Sequence, residues 1–420
     1  MTETVQRKVP SNLHILALTF AFFAAGMLML LAASIAAVLF VPDLVDLHSL
    51  RNPKGWLLAH ALLLGWATML AMGASYQIVQ IVLRASLYSR GLGVLHAILY
   101  MGGLATLLAG FLTEGRLIAA GGMLVTISVL CYAANLIVTF IRARAWNVFV
   151  FGIALSLLSL VATVLLGVKM GLGFAYGWYA GTHEETFASH MWFGVGGWLT
   201  GLILVFSLKL LPMFMVSRWK IARVHYAVIG GCHLGIWLEA ASLWLEIQPL
   251  SDLARTILIL SLASFAIVAA SIRRQSHAKQ PIGAVLAAYW LLPISFLVFL
   301  CWIAADRFLP SGRMWVEALL IFLVLGWFTG SILSYLSKIL PFLWWAHRFR
   351  TKEEKKGAIL LSAMLPERRL TAEMVGYLIG VAIVTVGFLV EAPMLAGTGQ
   401  LFATVMLFIY VGELLRVFRH

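Results

Sequence analysis

The sequence predicts an all-α polytopic membrane protein, with about twelve transmembrane helices in three pseudo-symmetric arcs of four. Three observations carry this. Of 420 residues, 62% are hydrophobic and only 11% charged, more apolar surface than a water-soluble domain can hide. Apolar runs of about 20 residues or more, the length that crosses a bilayer, recur roughly twelve times. A Gly-Trp pair returns at regular intervals, as Gly65-Trp66, Gly197-Trp198 and Gly326-Trp327, and an internal period of this kind points to a repeated structural unit.

The spans fall near 12–41, 55–83, 92–113, 117–141, 146–174, 187–216, 222–246, 252–272, 283–305, 315–345, 369–391 and 397–418. The first is too long for a signal peptide and lacks a small-residue cleavage pattern, so none is predicted. The unit of about 130 residues divides the chain into arcs 1–145, 146–280 and 281–420, which together form one membrane domain. Each Gly-Trp pair lies in the second span of its arc. Ser75 and Ser207 keep the same spacing, and Pro212 and Pro341 close the copies in spans six and ten. The segment 346–368 is a charged surface excursion.

The net charge of +13 has a positional explanation. Arg84, Arg90, Arg142, Arg144, Arg218, Lys220, Arg223, Arg273, Arg274, Arg416 and Arg419 fall in the loops of one side, while Asp43, Asp46, Glu184, Glu185, Glu246 and Asp252 fall on the other. That is the positive-inside pattern of a bacterial inner-membrane protein with both termini cytoplasmic. The lipid bilayer, not nucleic acid, is the partner this charge implies. Cys131, Cys232 and Cys301 lie inside spans with no CxxC spacing and read as small buried hydrophobes. The tryptophans, fifteen in all, gather near the interfaces. No phosphate-binding loop, dinucleotide fingerprint, CxxCH or HExxH is present.

Ionisable groups inside spans cost roughly 2.5–3.5 kcal/mol each when charged, which makes them functional candidates. His60 and His190 are the leading pair. Each lies a few residues below the outer surface, on a helix running inward, in corresponding spans of arcs one and two. An imidazole in that position can ligate haem iron through one ring nitrogen while a neighbouring group holds the other; the other reading is a helix-end histidine hydrogen-bonded to a nearby carbonyl. The two are not in register: His60 precedes its Trp by six residues and His190 by eight, with Trp192 in the place of His60. Two residues turn a helical side chain by about 200°, so the partner across from His60 stays open: His190, another side chain, water or gas. His233 and Glu239 on span seven add donors for a mixed nitrogen–oxygen metal site with His190. His96 and His225 begin their helices near the inner surface, where contact with lipid headgroups is expected. His14, His48, His183, His277, His347 and His420 lie at ends or in loops.

The layout of these segments, His60 to Gln80, His190 to Phe214 and Gly326 to Phe342, resembles the catalytic subunit of the haem-copper oxidases and nitric oxide reductases, and more nearly the short divergent members of that superfamily and the NnrS-type haem and copper proteins. The resemblance implies a haem ligand at His60 and a copper ligand at His190, with a weaker match at His233. It also exposes a departure. In that family the tenth helix supplies two histidines, and the segment Glu317 to Trp327 has none. The expectation is a b-type haem (no covalent attachment motif exists) in electron transfer or in the handling of nitric oxide or oxygen, with a quinol or cytochrome donor, copper open, and no complete oxygen-reducing centre. Two other classes remain: a transporter with Glu239, His233 and Glu373 along a polar pathway, and a non-catalytic assembly subunit.

Overall fold

In the computed structural model, residues 13–178, 181–277, 283–308, 314–349 and 358–420 are described. Twelve helices are long and apolar enough to cross a membrane: α1 (Ile15–Asp46), α2 (Pro53–Leu83), α3 (Arg90–Leu112), α4 (Gly115–Ala143), α5 (Val148–Tyr176), α6 (His183–Phe214), α7 (Val224–Leu245), α8 (Gln248–Arg274), α9 (Val285–Ala305), α10 (Trp315–Arg348), α11 (Glu367–Leu389) and α12 (Pro393–Arg419). The protein is an all-α polytopic membrane protein. His14, at the start of α1, has a side chain outside the described residues.

The helix starts follow local chemistry. Asn52, Ser89 and Asn147 each accept a hydrogen bond from the backbone N–H three residues on, capping α2, α3 and α5. Proline sets the start of three helices, Pro53 in α2, Pro249 in α8 and Pro393 in α12. For this reason α8 and α12 begin four residues earlier than the apolar runs alone indicate. α1 runs on past Pro42 to Asp46, five residues beyond the apolar stretch. Arg84, Arg144 and Glu246 end α2, α4 and α7 in the left-handed region, as Gly177 does after α5.

Helix hairpins close on small residues, as lipid-embedded packing requires. A Cβ at Gly103 would stand 2.8 Å from the backbone of Val125, and one at Gly121 would stand 2.3 Å from that of Leu107, so α3 and α4 touch main chain to main chain. The corresponding hairpin α11–α12 does the same through Gly380 at Ala403 and Gly387 at Ala396. The first and last helices pack together, with the Thr404 hydroxyl donating to the Ser34 carbonyl at 3.2 Å, and the ring of helices is thereby closed.

α2, α6 and α10 all carry the same irregularity. Each contains a π-helical stretch at the Gly-Trp pair: Ala61–Thr68, Trp192–Thr200 and Phe322–Thr329. All three end on threonine; Thr329 returns its hydroxyl to the carbonyl of Val324, five residues back, at 2.8 Å. The glycine before each Trp gives room for a neighbour. A Cβ at Gly65 would meet Met29 at 2.3 Å, and one at Gly197 would meet Ser159 at 2.4 Å. The buried indole of Trp198 donates to the Thr68 hydroxyl at 2.9 Å, tying α6 to α2, while among the described residues the indole nitrogens of Trp66 and Trp327 have no hydrogen-bond partner.

Candidate functional site

His60 sits at the last α-helical position of α2 before its π stretch, and His190 two residues before that of α6. Their rings face one another, centroids 6.3 Å apart and planes inclined by 30°. Both are half-buried. His60 Nδ1 is 2.8 Å from the carbonyl of Trp56, and His190 Nδ1 is 2.9 Å from that of Thr163 on α5. A carbonyl accepts only, so each Nδ1 carries the hydrogen and each Nε2 presents its lone pair. Two neutral nitrogen donors are thus held in fixed orientations. The walls are apolar: Phe111 of α3 stands 4.8 Å from the His60 ring, and Trp56 packs on both Phe111 and Phe174. Gly167 of α5 is part of the cradle, since a Cβ there would lie 3.2 Å from His190 Cε1.

The two-residue offset acquires a geometrical meaning when the helices are aligned on Trp66, Trp198 and Trp327. His60 then corresponds to Trp192 and Ile321, and His190 to Leu58 and Leu319. Residues in the first set face the next arc, and those in the second face the preceding one. Between the first and second arcs His60 meets His190. Between the second and third, Trp192 and Leu319 both line an apolar cavity of about 330 Å³. Between the third and first, Ile321 and Leu58 belong to one hydrophobic cluster with Met314, Ala318 and Phe388. The three spaces between arcs are therefore a histidine pair, a cavity and a filled seam.

The other donors expected near His190 go elsewhere. His233 on α7 faces α5, its Nε2 3.5 Å from the Ser156 hydroxyl, against Gly201. The Glu239 carboxylate is fully engaged by α8: it accepts from the Ser251 hydroxyl at 2.8 Å and from the Arg255 guanidinium at 3.1 Å. Among the described residues, no three His, Cys, Asp or Glu side chains converge to hold a metal. Arg255, not singled out in the sequence, is the ion-pair partner of Glu239. Glu373 lies near the Arg369 and Arg416 end of α11, by Glu413, whereas Glu239 lies near the opposite end of α7.

His96 departs most from expectation. It is fully buried, not at the headgroups. Its Nδ1 is 2.9 Å from the Tyr76 hydroxyl, its ring stacks on Phe22 at 5.0 Å, and Tyr132 and Tyr100 complete the enclosure. Tyr132 in turn stands edge-on to Trp198 at 6.3 Å. The sequence signal was the one-turn spacing of His96 and Tyr100 on α3. His225, by contrast, turns back on its own loop, Nδ1 2.8 Å from the Ala222 backbone. His48 pairs with Glu391 at 3.7 Å.

A scan against protein-family models and a search of curated proteins find no match to this chain.

Proposed function

We propose that this chain is a haem-b-binding protein of the bacterial inner membrane, built on the haem-copper oxidase scaffold, with its basic loops and both termini in the cytoplasm, and that it transfers electrons. The observation that carries this is the facing pair His60 and His190. The two ring centroids are 6.3 Å apart, close enough for both imidazoles to serve one bound group. The donor set fits the group: two neutral nitrogens, tautomers fixed by backbone carbonyls, in an aromatic pocket with glycine at its edge.

The haem supplies a one-electron couple when bound. The residues of the chain do the rest. His60 and His190 would both hold the haem, and a haem held by two imidazoles would favour electron transfer over gas binding. The carbonyls of Trp56 and Thr163 hold the rings against rotation and raise their basicity. Phe111, Trp56 and Phe174 keep water from the space. In α10 the two corresponding positions hold Leu319 and Ile321, which supports a chain without a second haem or a haem-copper oxygen-reducing centre.

The test is the absorption spectrum of protein purified from cells supplied with haem. Reduced-minus-oxidised Soret and α bands of a six-coordinate b haem, lost in His60→Ala, are expected. A colourless protein overturns the reading. Copper held between the two imidazoles would register in metal analysis instead.

A further inference from the structure

Where α6 ends and α7 begins, the chain is fastened to the end of α8. The backbone N–H of Arg218 donates to the Gln275 carbonyl at 3.2 Å and that of His277 to the Val216 carbonyl at 3.1 Å, an antiparallel bridge centred on Ser217 and Ser276. Both hydroxyls cross it: Ser217 donates to the carbonyl of Ile272 at 2.8 Å and Ser276 to that of Met215 at 2.6 Å. Two basic segments distant in sequence are thereby held together. Arg218, Arg273 and Arg274 lie within three residues of the bridge, and Lys220 and Arg223 follow. All five are exposed. Like charges gathered in this way repel one another, yet none of the five forms an ion pair among the described residues. The second arc has no carboxylate to offer them: no Asp or Glu stands between Glu185 and Glu239 or between Asp252 and Asp306. The same end of the third arc is built differently. There Lys338 is paired with Glu367, and Arg369 and Arg416 reach Glu413 at 3.9 and 3.1 Å. The third arc carries its own anions, whereas the second has cations fixed in place and none.

We propose that this bridged face binds the headgroup of an anionic phospholipid, its phosphate taken by the Arg218 segment on one side and by Arg273 and Arg274 on the other. Guanidinium groups present paired N–H donors that match phosphate oxygens, and basic clusters beside a membrane span recognise anionic headgroups. The apolar neighbours select a lipid over other anions. Val216, Ile221 and Val224 are exposed beside the cations, and Val224 is the first residue of span α7. The cations therefore stand at the level where headgroups give way to acyl chains. Trp219, edge-on to the His225 ring at 4.9 Å, belongs at the same level. Free phosphate or an acidic polypeptide would meet the charges and leave the apolar rim uncovered. A zwitterionic lipid brings a cation of its own and gains less.

The experiment titrates purified protein in a neutral detergent with phosphatidylglycerol, phosphatidylethanolamine or inorganic phosphate, and counts the bound molecules by native mass spectrometry. The first phosphatidylglycerol should bind about tenfold more tightly than phosphatidylethanolamine. Arg273→Gln with Arg274→Gln should weaken it about tenfold, and so should Arg218→Gln with Lys220→Gln from the other segment. Arg116→Gln with Arg419→Gln removes the same charge elsewhere and should leave it unchanged. Equal binding of the two lipids, or equal weakening in all three double variants, overturns the proposal, as does inorganic phosphate or an acidic polypeptide taking the place of the lipid. The readout needs no haem: a colourless protein that binds the lipid in this way overturns the haem reading alone.

Discussion

His60 and His190 face each other across 6.3 Å although they stand on different rungs of repeat-related helices. The offset is what brings them together. A histidine at position 192, in register with His60, would point into the cavity of the next pair of arcs, where Trp192 points.

Replacing His190 by leucine, the residue that α2 and α10 carry at this position, removes one of the two imidazoles proposed to hold the haem. The expected outcome is a haem that shifts from low-spin to high-spin, with a weakened α band, and that now binds carbon monoxide when reduced. An unchanged low-spin spectrum would place the second ligand elsewhere.

The π stretch of α2 accommodates one residue more than an α-helix of equal rise. Deleting Leu63 should restore α-helix and leave His60 on nearly its present face relative to the rest of α2. The protein should still insert and purify with its haem bands. Loss of those bands in the deletion variant would show that the π stretch itself sets the His60 ring.

Glu239 is 1% exposed and its one ion-pair partner among the described residues is Arg255. Arg255→Met strands a buried carboxylate, at a cost of about 3–5 kcal/mol. A large drop in the detergent-solubilised melting temperature is expected, and Glu239→Leu added to Arg255→Met should recover most of it. If the single variant melts like the parent, the pair is not a structural tie.

Tyr76→Phe leaves the buried His96 ring without its hydrogen-bond partner. The loss should be about 1–3 kcal/mol, read as a lowered thermal midpoint, with the haem spectrum intact because His96 lies in another part of the first arc. A spectral change would join the two histidine environments into one site.

The twelve spans were legible in the sequence because hydrocarbon thickness imposes a length that composition reveals directly. Helix ends were less so: Pro249 and Pro393 begin helices in stretches too polar for an apolar-run reading, and Pro42 does not end one. His60 and His190 were legible as a pair from their depth, whereas their meeting was not, because a 200° rotation is neutral until the neighbouring arc is placed. The ion pair of Glu239 was not legible because its counterion lies sixteen residues away on another helix. His96 was misjudged because position near a helix start says nothing of what α1 and α4 bring across it. The apolar cavity left no mark at all, since Trp192 and Leu319 look in sequence like any core residues.

The closed seam between the third and first arcs has a practical meaning. His60 stands opposite His190, and the corresponding Ile321 and Leu58 lie in one hydrophobic cluster. Two substitutions, Leu58→His and Ile321→His, would write a second ligand pair into the same frame at the same depth. The chain is in effect a three-berth rack in which two side chains per berth decide whether it is loaded, left open or sealed.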